Sequence, residues 1–167
     1  MGTALHWVNG PWLGKLALAS RPRGGEWLDD EMASWRRDGI DMVLSLLTPE
    51  EEQALDLAAE AGAAQARGMG FISLPIPDRQ VPDSEAGVTT VVESAGSALS
   101  SGKNIAVHCR QGIGRTGLIA ACLLISRGVD PEAAVARLSA ARGVPVPETP
   151  EQRQWIDRYA ATLARAN

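Results

Sequence analysis

Val107-His108-Cys109-Arg110-Gln111-Gly112-Ile113-Gly114-Arg115-Thr116-Gly117 is the stretch that decides the fold. The apolar run Asn104–His108 leads into it, and an apolar segment of helical length leaves it near Gly114. A buried strand that turns through glycines into a helix is the building unit of open α/β sheets, and ligands bind where such strands end. The glycines let successive N–H groups face one point and form an anion cradle. The helix N-terminus adds the positive end of its dipole. Cys109 opens this loop and Arg115 closes it, six positions on.

Working outward, further apolar runs of strand length lie at Leu13–Ala19, Ile40–Leu47 and Phe71–Ile76. Continuous apolar runs suit strands buried on both faces of a mostly parallel sheet. Helical segments alternate with them. Trp27–Arg37 stops at Gly39. Thr48-Pro49-Glu50-Glu51 opens a helix with Thr48 as N-cap, Pro49 at N1 and Glu51 closing a capping box. A third helix runs from about Ser84 to Ser100. Beyond the glycine loop come Gly114–Arg127, Pro131–Arg142 (cap Asp130, stop Gly143) and Pro150–Ala164, the last opening with Thr149-Pro150-Glu151-Gln152. The expected architecture is a single domain over residues 1–167. It is a three-layer α/β fold with a mostly parallel sheet of four to five strands and extra helices toward the C-terminus.

Composition narrows the function classes. The chain has 167 residues and 45% hydrophobic residues, enough for a real core. Lys and Arg number 16 against 20 Asp and Glu, so the net charge is −4. A general nucleic-acid binder needs a basic excess to displace counterions, so no nucleic-acid partner is expected. The longest apolar stretch, Gly117–Ser126, is half of the roughly 20 residues a bilayer requires, so no membrane partner is expected either. The first residues lack a secretory layout, and His6 stands where a myristoylation signal has Ser or Thr. The expectation is a cytoplasmic monomer. Cys109 and Cys122 would lie on a loop and well into the following helix, roughly 10 Å or more apart and beyond the ~7 Å limit for a disulfide. Both read as thiols of a reducing compartment.

The loop has a chemical use. A phosphate dianion in the cradle would receive backbone N–H bonds and a two-point fork from Arg115. The same field favours the thiolate of Cys109, which can attack a bound phosphorus in line and form a phosphocysteine. The leaving oxygen needs a proton from a loop at the same sheet edge. Leu74-Pro75-Ile76-Pro77-Asp78-Arg79-Gln80-Val81-Pro82-Asp83 follows a predicted strand and offers Asp78, with Asp83 as the alternative.

His108-Cys109, five residues, then Arg115-Thr116 resembles the signature of the cysteine-dependent protein tyrosine and dual-specificity phosphatases. Pro75-Ile76-Pro77-Asp78 resembles their general-acid loop. The likeness runs from about Leu13 to Ile156 and is greatest to small dual-specificity members of the cyclin-dependent kinase inhibitor 3 type. The resemblance implies Cys109 as nucleophile, Arg115 as phosphate clamp, and Asp78 as acid then base. It implies a hydrogen bond from Thr116 to the departing sulfur and an N–H cradle from Arg110, Gln111, Gly112, Ile113 and Gly114. Gln152 would orient the hydrolytic water. It implies no cofactor and no metal; CxxC, HExxH and P-loop lysine patterns are absent from the sequence. The implied substrate is a phosphorylated protein, phosphotyrosine first, or a small phosphomonoester.

Plainer readings stand beside these. Asp78 follows a proline in a turn, where aspartate bonds its own backbone. Gln152 is N3 of a capping box. Cys122 reads as core, His108 as a structural brace of the loop, and Trp7, Trp12, Trp27 and Trp35 as packing residues. Glu50-Glu51-Glu52 reads as a solvated charge cluster. Two other functions compete. Gly112–Gly117 fits G-x-G-x-x-G, but no strand with an acidic ribose partner follows its helix, which argues against a dinucleotide site. A non-catalytic phosphate-binding adaptor would usually lack the cysteine, arginine or acid, and all three are present.

Overall fold

In the computed structural model, which describes residues 2–166, five strands form one sheet: β1 (His6–Val8), β2 (Leu16–Ala19), β3 (Met42–Ser45), β4 (Gly70–Ser73) and β5 (Ile105–His108). Their spatial order is β1-β2-β5-β3-β4, with β2, β5, β3 and β4 parallel and β1 antiparallel on the edge. The helices are α1 (Leu28–Arg37), α2 (Pro49–Ala54), α3 (Glu60–Ala66), α4 (Glu85–Ser100), α5 (Gly114–Ile125), α6 (Pro131–Arg142) and α7 (Pro150–Ala166). A 3-10 turn, Gly25–Trp27, precedes α1.

The strand sequences decide the layers, because alternate side chains point to opposite faces. In β2 the two leucines, Leu16 and Leu18, enter one core with Ile105 and Val107 of β5 and residues of α4, α5, α6 and α7. Ala17, Ala19 and Ala106 face the other side, where Met32 and Trp35 of α1 and Ala63 and Ala64 of α3 cover them. Small residues on that face leave room for the Trp35 ring, which is fully buried. The three-layer α/β fold expected from the sequence is the fold observed.

Several expectations are corrected. The strands are shorter than the apolar runs. Leu13 is 83% exposed, because the backbone turns at Gly14, where a Cβ would overlap the Lys103 carbonyl. β1 was not anticipated: three residues are too few to show an alternation. The helix opened by Thr48 ends at Ala54, and the chain passes through Asp56 at φ 57° before α3 begins. Trp7 and Trp27 are partly exposed rather than packed, and the Arg23 guanidinium lies 4.8 Å over the Trp27 ring. The cap at Thr48 with its reciprocal Glu51, the cap at Asp130 and the left-handed stop at Gly143 form as the sequence indicates.

Candidate active site

β5 is the middle strand of the sheet. His108 at its end lies level with Ala19 of β2 and Ser45 of β3. Cys109–Gly114 therefore leaves the sheet between the ends of two neighbours, in the crevice where open α/β folds bind ligands. Gly112 lets the loop turn there. It sits at φ 72°, and a Cβ would stand 2.5 Å from the Ala19 carbonyl oxygen. No other residue satisfies both the backbone angle and that approach.

Cys109 is buried, and its sulfur faces into the loop, accepting the Gly112 N–H at 3.3 Å. Arg115, in the first turn of α5, is 1% exposed. Its Nη1 donates to Glu51 Oε1 at 2.6 Å and to the Ile76 carbonyl at 2.7 Å, with the Leu46 carbonyl at 3.4 Å. Its Nη2 donates to Glu51 Oε2 at 2.9 Å and to Asp78 Oδ1 at 3.0 Å. Burial alone would ease the proton off this guanidinium. The Glu51 hydrogen bonds, the adjacent Cys109 and the charges of Glu51 and Asp78 outweigh burial and hold the proton on.

Asp78 follows β4 on an exposed turn closed by the Gln80 N–H on the Pro77 carbonyl. Asp83 is exposed and makes no bond to Arg115. Gln152 is buried. Its Oε1 accepts the N–H groups of Glu148 and Thr149, its own N–H donates to Thr149 Oγ1, and its Nε2 donates to the Gln80 carbonyl. It thus caps α7 and ties that helix to the Asp78 turn. The Thr116 hydroxyl is buried with no hydrogen-bond partner. Arg110 and Gln111 are exposed residues, the Arg110 Nε lying 3.8 Å from Glu51 Oε2, while Gly112 and Gly114 are buried.

Sequence reasoning missed two residues. Glu51 belongs to no solvated cluster: its side chain is 12% exposed and makes the two-point pair with Arg115. Burial pushes its carboxyl up, but Arg115 and the Thr48 N–H and hydroxyl outweigh this and hold it below the usual carboxylate value. Its position just beyond β3, neighbour of β5, was the available signal. Glu60, on α3, places Oε2 2.6 Å from His108 Nε2, and His108 Nδ1 lies 3.3 Å from the Cys109 carbonyl. Both side chains are buried. Cys122 is enclosed within α5, where burial and then the charge of Glu85 push its thiol far up. Among the described residues no cluster of three or more His, Cys, Asp or Glu could hold a metal, and no helix is long and apolar enough to cross a membrane.

Comparison with known proteins places the chain in a family. Rat cyclin-dependent kinase inhibitor 3 (Rattus norvegicus) is 32% identical over 92 residues, 54% of this chain and 43% of that protein. The human protein (Homo sapiens) is 33% identical over the same extent. The match thus spans less than half the length of these relatives. Among solved structures, kinase-associated phosphatase with its catalytic-site cysteine replaced by serine superposes with a TM-score of 0.87 at 22% identity, covering 98% of this chain and 97% of that one. PTPMT1 gives 0.79 at 20% identity over 98% of each chain, and human DUSP28 gives 0.67 at 18% identity over 95% of each. These share the fold. The family model described as "Polymorphic toxin system, DSP-PTPase phosphatase" matches residues 17–129, more than half of the chain. The protein is a member of that DSP-PTPase phosphatase family.

Proposed function

We propose that this chain hydrolyses phosphomonoesters through a phosphocysteine on Cys109, with phosphotyrosine in proteins as the first substrate class. The observation that carries this reading is the sulfur of Cys109 turned into a loop closed by a buried Arg115, which also holds Asp78. The N–H groups of Arg110–Gly114 and the Arg115 fork would grip the phosphate oxygens, so that positioning and electrostatics carry the reaction. The Cys109 thiolate attacks phosphorus in line; the S–P bond forms as the P–O bond to the leaving group breaks. Asp78 gives its proton to the departing oxygen. In the second step Asp78 takes a proton from water, water attacks phosphorus, and the sulfur departs as thiolate toward the Gly112 N–H and the Thr116 hydroxyl. The positive charge comes from Arg115 and the loop amides, so the reaction calls on no metal.

The single tyrosine, Tyr159, is buried in α7, so no tyrosine deepens the pocket. A shallow mouth would also admit phosphoserine and phosphothreonine, and a small phosphorylated metabolite is the alternative substrate. The reading carries a cytoplasmic setting, in which both thiols stay reduced. The test is turnover of an aryl phosphate, in the presence of a chelator, by wild type and Cys109→Ser. Loss of turnover in the variant, with oxyanion binding kept, supports the reading. Equal turnover overturns it.

A further inference from the structure

A cradle whose N–H groups face inward turns its carbonyls outward, where they need partners of their own. The Arg110 carbonyl accepts the Arg21 N–H at 3.2 Å. The Gln111 carbonyl accepts Ser20 Oγ at 3.0 Å and Arg142 Nη2 at 2.9 Å. The Gly112 carbonyl accepts Arg142 Nε at 3.2 Å. One guanidinium, from the last turn of α6, thus bridges two successive carbonyls on the outer side of the loop, while Arg115 closes the loop in sequence.

Arg142 has no acidic partner among the described residues. Its titratable neighbour, His6, is held below the usual histidine value by burial and then by the charge of Arg142. The guanidinium charge is therefore directed at the loop without a competing carboxylate.

We infer that Arg142 is a positioning residue for Cys109, acting through the Gln111–Gly112 peptide. The carbonyl of that peptide accepts Arg142 Nη2, and its N–H, on Gly112, donates to Cys109 Sγ. A cation on the carbonyl end polarises the amide and strengthens its N–H as a donor. The two-carbonyl bridge also fixes the peptide plane, so that the Gly112 N–H stays on the sulfur. Ser20 bonds the same Gln111 carbonyl but brings no charge. This inference rests on the reading of Cys109 as the nucleophile.

The test compares wild type with Arg142→Ala, Arg142→Gln and Arg142→Lys. Alkylation of Cys109 by iodoacetamide at neutral pH, followed by intact mass, reads sulfur reactivity without any phosphatase turnover. Arg142→Ala is expected to slow alkylation and to lower kcat on an aryl phosphate by on the order of 10–100-fold, the range for losing a hydrogen bond to a charged group. KM should move less than kcat. Arg142→Lys should recover part of the loss. Arg142→Gln keeps an amide NH2 donor without charge and should resemble Arg142→Ala, and it decides the matter if Arg142→Ala does not fold. Alkylation at the wild-type rate in a folded Arg142→Ala or Arg142→Gln protein overturns the inference. If wild type turns over no phosphomonoester, the proposed function fails, yet the alkylation ratio still tests Arg142.

Discussion

Arg115 Nη2 and Asp78 Oδ1 lie 3.0 Å apart, so the residue proposed to clamp phosphate holds the residue proposed to protonate the leaving group. The end of the guanidinium that bears Nη1 and Nη2 is taken by Glu51, leaving Nε and the remaining Nη2 hydrogen as the face toward a ligand. Asp78 occupies that Nη2 position. A phosphate binding through Nε and Nη2 would displace it and free it for the leaving oxygen. Asp78→Asn is expected to lower turnover by ~10²–10⁴. The loss should be greatest for poor leaving groups, and oxyanion affinity should not fall. A series of aryl phosphates of graded leaving-group basicity checks this; a loss independent of the leaving group contradicts it.

Glu51 both caps α2 and pairs with Arg115. Glu51→Gln is expected to cost on the order of 3 kcal/mol at neutral pH, as when one partner of a buried pair is removed. The sign of its pH dependence follows from the lowered carboxyl value. A group whose value is lower folded than unfolded stabilises the fold above the usual carboxylate range, and that contribution fades as pH falls through the lowered value. Urea unfolding at several pH values should therefore show wild type and variant converging in acid. A gap that does not shrink in acid contradicts the assignment.

Thr116 presents a buried hydroxyl without a partner. Removing an unsatisfied polar group does not destabilise, so Thr116→Val should melt at or above the wild-type temperature. If the hydroxyl assists the departing sulfur, the loss of a hydrogen bond to a charged group should slow breakdown of the phosphocysteine by roughly 10-fold or more. Rapid-quench kinetics separate the two: the first-turnover burst should persist while steady turnover falls. A burst that falls with it would place Thr116 elsewhere in the reaction.

The layers and the loop were legible because their signals are local. The continuous apolar runs of the strands, the Asp130 cap and Gly143 stop, and the Cys109-to-Arg115 spacing each act within a few residues. What was not legible depends on contacts between distant parts of the chain. Glu51 reads as a helix cap until β3 is placed beside β5. Glu60 sits in an alanine-rich segment with no motif, and only the packing of α3 against α1 and β4 brings it to His108. Arg142 reads as an ordinary basic residue at a helix end. Gln152 was readable both as cap and as water-orienting residue, and its bonds are those of a cap and a tie to Gln80.

Gln152→Ala should therefore act first on stability, at about 1–2 kcal/mol for a lost cap interaction. It should also increase hydrogen exchange at residues 78–80, because the bond to the Gln80 carbonyl goes with it. Turnover should fall less than in Asp78→Asn. A fall as large as that of Asp78→Asn with unchanged stability and exchange would assign Gln152 to the chemistry instead.

The most direct measurement is acid quench of the protein during turnover of an aryl phosphate, followed by intact mass and peptide mapping. The account predicts one added phosphoryl group, on Cys109, absent from Cys109→Ser and longer-lived in Thr116→Val. Turnover with no covalent phosphoryl, or a phosphoryl on any other residue, would contradict it.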